Sequence, residues 1–223
     1  MNVSGQPSRE STARIPVTPD QLRATAAFCR ESLSPVQDGD WSVLAGDLEW
    51  SCRRTLDHLI DVYVFYAGHL ATRATCRLTH LRDGDPARSP AELLVAAEAA
   101  AAVLAEVARA APAGARGYHG AGMADAEGFL AMGCTETLVH TYDIASGFHR
   151  SVRPPDDLVA PVIARIFPWV GPTDDLWPAF LWATGRIALP DRPRLDANWY
   201  WHCAPLDEWD GSVKRRTALP GWT

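Results

Sequence analysis

The stretch D-A-E-G-F-L-A-M-G-C-T-E-T-L-V-H-T-Y-D-I-A-S-G, residues 125–147, predicts a long helix with three ionisable side chains on one side. The helix is expected from about Asp125 to Ser146, followed by a glycine of the kind that often ends helices. Glu136, His140 and Asp143 are spaced i, i+4 and i+7, which puts them on a common face.

A second stripe of the same helix consists of small, mildly polar residues that we expect to meet solvent or a loop. These are Cys134, Thr137, Thr141 and Ala145. The ionisable face lies well over a quarter turn away, beside Phe129, Met132 and Val139. The pattern therefore predicts that two carboxylates and an imidazole project into the interior.

Burying such groups costs free energy unless they are paired or bind a metal. A Glu and a His four residues apart are common on helices, and the cluster could satisfy itself by hydrogen bonds and ion pairs. A third ligand would favour a metal. His58 is the candidate, because it lies at the border of the apolar face of an earlier helix. His69 lies about 16 Å further along that helix and cannot share a metal with His58.

Five other segments predict helices around this one. Thr18 and Ser89 begin capping boxes with Gln21 and Glu92, and a proline follows each cap. The predicted helices cover residues 18–33, 51–73, 89–110, 154–167 and 173–185. Loops are expected at residues 35–49 and 112–124, and a turn at residues 82–86.

Four long helices joined by loops of moderate length are typical of an antiparallel bundle. The expected fold is all-α: an antiparallel four-helix bundle with extra C-terminal helices and a Trp- and Pro-rich arm. Residues 1–14 are predicted as a disordered leader, residues 15–185 as the metal-binding helical bundle, and residues 186–223 as an arm packed on it. The arm would pack through Trp199, Trp201 and Trp209. No segment resembles a βαβ unit or a Gly-rich phosphate loop.

The composition of the 223 residues narrows the classes of function. Apolar residues make up 47%, which predicts a folded core, and a net charge of −6 disfavours nucleic acids and anionic membranes as partners. The five cysteines are odd in number and scattered, which fits reduced thiols. We expect a cytoplasmic protein, a monomer or homodimer, without nucleic-acid or membrane partners.

Two separated motifs carry a resemblance to a known family. W-S-C-R-R-T-L-D-H-L-I (residues 50–60) and E-T-L-V-H-T-Y-D-I-A (residues 136–145) resemble the DinB-like superfamily, closest to its branch containing mycothiol-dependent maleylpyruvate isomerase. L-W-A-T-G-R (residues 181–186) is similar to the same branch. The likeness covers roughly residues 19–186 and lies in the order and spacing of the motifs.

The resemblance implies a four-helix bundle with one divalent metal, expected to be zinc, held by His58, Glu136 and His140. It also implies a role beside the metal for Asp143, our candidate catalytic residue, which would orient His140 or contact a thiol. Family members often carry Arg three residues before the Glu, and here that position is Gly133. The departure leaves the particular substrate open.

A His₂Glu set leaves one position of a catalytic zinc open and gives the site a net charge of +1, which favours a bound thiolate. The resemblance supplies the thiol, mycothiol. A thiolate that adds to an activated double bond and leaves again would catalyse cis–trans isomerisation. A thiolate that stays attached would give S-conjugation. We expect a thiol-using S-transferase or isomerase that acts on a small electrophile.

Residues outside the metal set are candidate contacts for the cofactor or substrate. Tyr118, His119 and Met123 are the candidates on the loop before the metal helix, and an ordinary surface connection is the alternative. His202 and Cys203 would reach over the site or only pack against the bundle. Arg186 would bind a carboxylate or cap a helix in solvent.

Two further functions stay open on the sequence. One is a non-catalytic metal-binding or interaction module in which the metal stabilises the fold. The other is a zinc-hydroxide hydrolase with Asp143 as its general base.

Overall fold

The computed structural model describes residues 14–78 and 87–216. The predicted turn at residues 82–86 lies outside the described residues. So do the predicted leader, apart from Arg14, and residues 217–223 of the arm. Arg14 itself forms an ion pair with Glu127, 2.5 Å long, at the start of the central helix.

The described part of the chain is mostly helical, as predicted, with six α-helices and one small sheet. The helices are α1 (Pro19–Leu33), α2 (Cys52–Thr72), α3 (Pro90–Ala110), α4 (Ala126–Gly147), α5 (Asp156–Ile166) and α6 (Leu176–Ala183). The strands are β1 (Arg116–His119) and β2 (Gly122–Asp125). None of the described helices has the length and hydropathy needed to cross a membrane.

Side-chain caps fix the starts of the long helices. The Ser89 hydroxyl accepts the Glu92 backbone N–H while the Glu92 carboxylate accepts the Ser89 N–H, which confirms the predicted capping box. At α1, Thr18 accepts from the Gln21 N–H, but the Gln21 side chain donates to the Leu158 carbonyl instead of closing a box.

The four long helices pack together, with α1 and α2 each against both α3 and α4. Helices α2 and α4 run in opposite directions. Cys52, at the start of α2, contacts the Ile144 carbonyl near the end of α4, and Tyr66 contacts Phe129 near its beginning. This arrangement sets the middle of α2 beside the middle of α4.

Helix α4 is buried on nearly every side, and one prediction about it was wrong. The stripe expected to meet solvent or a loop is fully buried: Cys134, Thr137, Thr141 and Ala145. The mildly polar side chains are tolerated there because Thr137 donates to the Gly133 carbonyl and Thr141 to the Thr137 carbonyl. The small, mildly polar residues of this stripe therefore indicate close packing between helices and not exposure to solvent.

The segment predicted as a loop at residues 112–124 contains an antiparallel hairpin, so that prediction was wrong in part. Tyr118 pairs with Met123, and His119 pairs with Gly122. The strands are short and Gly-rich and give no strand signal. The hairpin is held because the Tyr118 N–H donates to the Ala74 carbonyl just beyond α2, at 2.7 Å.

A buried arginine ties the C-terminal arm to the start of α4. Arg165, on α5, is 1% exposed and donates at 2.6 Å to Asp125, the N-cap residue of α4. The same guanidinium donates to the carbonyls of His202 and Cys203. The arm is therefore joined to the interior by charged hydrogen bonds as well as by its aromatic side chains.

Candidate metal centre

The three predicted ligands converge between α2 and α4. Nε2 of His140 lies 3.1 Å from Oε2 of Glu136, and Nε2 of His58 lies 3.8 Å from the same oxygen. The ligand atoms of all three residues lie within 4.8 Å of one another. The antiparallel packing of α2 and α4 brings His58 to its partners from 78 positions away in the sequence.

Neighbouring side chains contact each of the two imidazole rings. The ring of His58 meets the edge of the Trp50 indole at a centroid distance of 5.0 Å, and the His58 and His140 rings lie 5.4 Å apart and nearly perpendicular. Nδ1 of His140 lies 3.0 Å from Oδ2 of Asp143. That bond leaves Nε2 of His140 facing Glu136.

Asp143 is in turn held by Arg186. The guanidinium donates through Nε to Oδ1 at 3.0 Å and through a terminal nitrogen to Oδ2 at 2.7 Å. The Asp143 side chain is only 4% exposed and that of Arg186 11%. A bidentate pair of this kind fixes the plane of the carboxylate.

The electrostatics of the cluster follow from these contacts. Burial raises the pKa of Glu136, but hydrogen bonds from His140 and His58 outweigh it and hold the pKa well below its usual value. Burial lowers the pKa of His140, but the bonds to Asp143 and Glu136 raise it to about 9. Burial also raises the pKa of Asp143, but the charges of Arg186 and His140 and their hydrogen bonds to the carboxylate together lower it below its usual value. Without a cation, a protonated His140 therefore lies between two carboxylates.

The donor chemistry of the cluster fits a divalent cation. Two imidazole Nε2 atoms and one carboxylate form a His₂Glu set, which is typical of zinc sites with an open position. Asp143 supplies the outer-sphere acceptor that metal-binding histidines usually have on their other nitrogen. A cation between the three ligand atoms would take the place of the proton on Nε2 of His140.

The loop candidates divide between the two faces of the hairpin. The His119 ring lies 5.7 Å from Tyr66 and 6.3 Å from Tyr200. Burial lowers the pKa of His119 to about 4 and raises that of Tyr66 well above its usual value, and the charge of Glu136 acts on both groups. His119 therefore belongs to an aromatic wall near Glu136.

The other candidates lie elsewhere. Tyr118 stacks toward His69 at 6.1 Å, and its strand partner Met123 lines a separate hollow of about 320 Å³. Nε2 of His202 is bonded to the Pro205 carbonyl, and Cys203 is fully buried beside Gly122. None of these four residues belongs to the metal-binding group of His58, Glu136 and His140 among the described residues.

Two parts of the centre do not follow from the sequence. The sequence left Arg186 open between a carboxylate-binding residue and a helix cap in solvent, and it does not indicate that Arg186 binds the carboxylate of Asp143, 43 residues away. Tyr66 and Tyr200 were not singled out, because aromatic residues in a helix or arm are usually packing residues. No local spacing could have found them.

A cleft of about 470 Å³ opens beside the centre. Its walls include Asp143 and Arg186 from the centre and Trp199, Arg194 and Arg216 from the arm. The cleft therefore gives solvent access to the hydrogen-bonded pair behind His140.

Position 133 explains one departure from the family pattern. A Cβ at Gly133 would lie 3.2 Å from Leu22, 3.3 Å from Leu104 and 3.6 Å from Tyr63. The nearest side chains at this position are therefore packed core residues. A long charged side chain has no place there in this chain.

The helical fold and the interior His–Glu–His cluster between two antiparallel helices put this protein in the class of candidate metalloproteins. The sequence matches the family described as the mycothiol maleylpyruvate isomerase N-terminal domain over residues 22–145, more than half of the chain. The chain belongs to this family, a branch of the DinB-like proteins. Neither the comparison with curated proteins nor that with solved structures gave a match.

Proposed function

We propose that the protein is a metal-dependent, thiol-using enzyme that joins a low-molecular-weight thiol such as mycothiol to a small electrophile. The observation that carries the proposal is the convergence of His58, Glu136 and His140 within 4.8 Å, in a chain that belongs to a mycothiol-related family. The proposed cation is Zn²⁺, because the donor set is nitrogen and oxygen with one open position.

When bound, a divalent cation would supply the positive charge that favours the thiolate form of the incoming thiol. The chain's own residues have separate tasks. His58, Glu136 and His140 hold the cation, and Asp143 keeps the His140 ring in position. Burial lowers the pKa of His119 to about 4, which favours a neutral ring. Its Nδ1 accepts from the Ala121 N–H at 3.0 Å, so Nε2 carries the proton and can donate a hydrogen bond without adding charge.

Two outcomes follow from one bond-forming event. The sulfur lone pair forms a C–S bond with the electrophilic carbon of an activated double bond, and the π electrons move to the activating group. Rotation and departure of the same thiolate restore the double bond as its geometric isomer. Protonation of the carbon instead leaves the S-conjugate. The proposal covers both a cis–trans isomerase and an S-transferase.

The aromatic wall and the cleft are the proposed borders of the substrate space. His119 lies on the side of Tyr66 and Tyr200, and Asp143 lines the cleft. Tyr118 and Met123, the other loop candidates, would have to act through the hairpin backbone. We further propose that α1 to α4 form the antiparallel four-helix bundle of the family, and that the protein works in the cytoplasm as a monomer or homodimer, without nucleic acid.

The hydrolase alternative has less support. Both oxygens of Asp143 are engaged by His140 and Arg186, and the carboxylate lies on the Nδ1 side of the His140 ring. A general base for a metal-bound water would be needed on the Nε2 side. A non-catalytic module would keep the ligands but bind no thiol.

The test combines metal content with thiol-dependent stability. We expect the purified chain to hold one equivalent of divalent metal, and mycothiol, but not glutathione, to raise the melting temperature of the loaded chain. A ligand at 100 times its dissociation constant stabilises by about 2.7 kcal/mol, which a thermal scan resolves. Absence of metal would reject the site. Metal without stabilisation by any thiol would reject the thiol chemistry and favour the module or the hydrolase.

A further inference from the structure

Arg186 lies outside the family match, which ends at residue 145, yet it reaches the candidate centre. It follows α6, and the left-handed Gly185 (φ +69°) turns the chain so that the Arg186 N–H donates to the Leu181 carbonyl at 2.8 Å. The turn directs the guanidinium back toward α4.

The guanidinium is held at three points. It makes the bidentate pair with Asp143, donates through its remaining terminal nitrogen to the Thr184 carbonyl at 2.7 Å, and lies 5.6 Å from the centre of the Trp199 ring. A side chain fixed in this way cannot reorient without breaking several charged or aromatic contacts. The position of the Asp143 carboxylate is therefore set from the C-terminal segment.

We infer that Arg186 is a positioning residue for the metal centre, acting through Asp143 to aim Nε2 of His140 at the site. The inference rests on the proposed metal site. It means that residues 22–145 do not complete the centre and that the C-terminal segment is part of it. Arg186 is not one of the three candidate ligands.

The physical reason is the geometry of the three groups. An aspartate can turn about two side-chain bonds, and the His140 ring about two more. The Nδ1–H···Oδ2 bond couples the two rotations, and the fork of Arg186 removes the freedom of the carboxylate. Replacing the Arg186 guanidinium by a side chain with one hydrogen-bond donor or none should let the His140 ring rotate more freely. Changes in such outer-sphere groups typically weaken metal binding by about 10- to 100-fold.

The test uses the full chain with Co²⁺ as the probe and compares Arg186→Gln, Arg186→Lys and Arg153→Gln with the wild type. Arg153 also lies outside the family match, but it is exposed and pairs with the exposed Asp175, so Arg153→Gln is the matched control. We expect a rise in the Co²⁺ dissociation constant of about 10- to 100-fold for Arg186→Gln and a smaller rise for Arg186→Lys. Arg153→Gln should stay within about twofold of the wild type.

The second readout is the visible spectrum of the saturated Co²⁺ form, which reports ligand geometry and not stability. A changed spectrum in Arg186→Gln supports the inference. A lower melting temperature with a wild-type dissociation constant and spectrum would make Arg186 merely structural and overturn it.

Two further measurements separate failure of the inference from failure of the proposed function. If the wild type takes up no Co²⁺, the metal site fails. The orientation of the His140 ring is then followed by the NMR signal of its Nδ1–H proton. The inference is overturned if this signal has the same chemical shift in Arg186→Gln as in the wild type. If Arg186→Gln does not fold, the double variant Asp143→Asn/Arg186→Gln removes the buried unpaired charge. Wild-type Co²⁺ affinity in that variant would also overturn the inference.

Discussion

Helices α2 and α4 both carry residues of the His58–Glu136–His140 cluster, but they are packed in opposite ways. Helix α2 has one open side, where Val64 is 42% exposed and no atom lies within 4 Å of a Cβ built at Gly68. Helix α4 is covered all round, and His140 is buried between carboxylates while His58 stands nearer the surface. On α4 the candidate ligand His140 is held by Asp143, which is held in turn by Arg186, whereas α2 presents the candidate ligand His58 nearer the surface.

The largest effect should come from placing the same charge on each helix. Gly133→Arg would bury an uncompensated cation among Leu22, Leu104 and Tyr63, at a cost of at least about 3 kcal/mol, a large part of a typical domain's stability. Gly68→Arg points into open space and should be neutral or stabilise by up to about 1 kcal/mol, because glycine is a poor helix former. Chemical denaturation measures both, and similar midpoints would contradict the packing contrast.

The next effect concerns the ligands themselves. His140→Ala should lose the bound metal, since it removes the ligand that Asp143 holds in place, and His58→Ala should lose it less completely. His149→Ala, at an exposed position after α4, should keep wild-type metal content. Equal metal retention in His140→Ala and His149→Ala, measured by elemental analysis, would remove the assignment.

A smaller effect should come from the hydrogen bond that joins the two helices in the interior. The hydroxyls of Tyr63 and Thr137 are bonded to each other and buried. Tyr63→Phe should lower the free energy of unfolding by about 0.5–1.5 kcal/mol, with an unchanged denaturant slope. Tyr142→Phe is the control, because its hydroxyl makes no hydrogen bond among the described residues. A midpoint shift as large in the control would show that the bond contributes nothing specific.

The smallest perturbation is chemical labelling without mutation. Cys134 on α4 is buried, and burial raises its thiol pKa to about 12, whereas Cys76 beyond α2 is exposed. A maleimide should therefore modify Cys76 rapidly in the folded chain and leave Cys134 unmodified. After unfolding without reductant, all five cysteines should react, because all are free thiols. Fast labelling of Cys134 in the native state, read by mass spectrometry, would contradict the burial of α4.

The sequence predicted the helices and the ligand set for identifiable reasons. Caps and prolines are local signals, so the starts of α1, α2 and α3 agree with prediction to within a residue or two. The ligands came from spacing on one helix and from the family resemblance. The sequence predicted the inward direction of Glu136 and His140 by contrast with a stripe that is also buried, so the premise was wrong. The two side chains are nevertheless only 13% and 9% exposed.

The rest depended on contacts that no local pattern encodes. A helix buried on all sides has no amphipathic signal to orient it. The hairpin is held by the end of α2, and the Asp143–Arg186 pair joins residues 43 positions apart. Of the three neighbouring loop candidates, only His119 lies on the side of the aromatic wall. Tyr118 and its strand partner Met123 share one side of the hairpin, and His119, the next residue along the strand, points to the other.

Arg165 has a consequence for how the protein opens. Its guanidinium donates hydrogen bonds to Asp125, at the first turn of α4, and to two carbonyls of the C-terminal arm. If either segment moves away, the buried charge of Arg165 loses hydrogen-bond partners. Local opening of the C-terminal arm and fraying of the first turn of α4 should therefore occur together. In hydrogen-exchange experiments, the backbone amides of Gly128 and His202, which are both hydrogen-bonded in this region, should exchange at the same rate. A condition that slows the exchange of one amide should slow that of the other to the same extent.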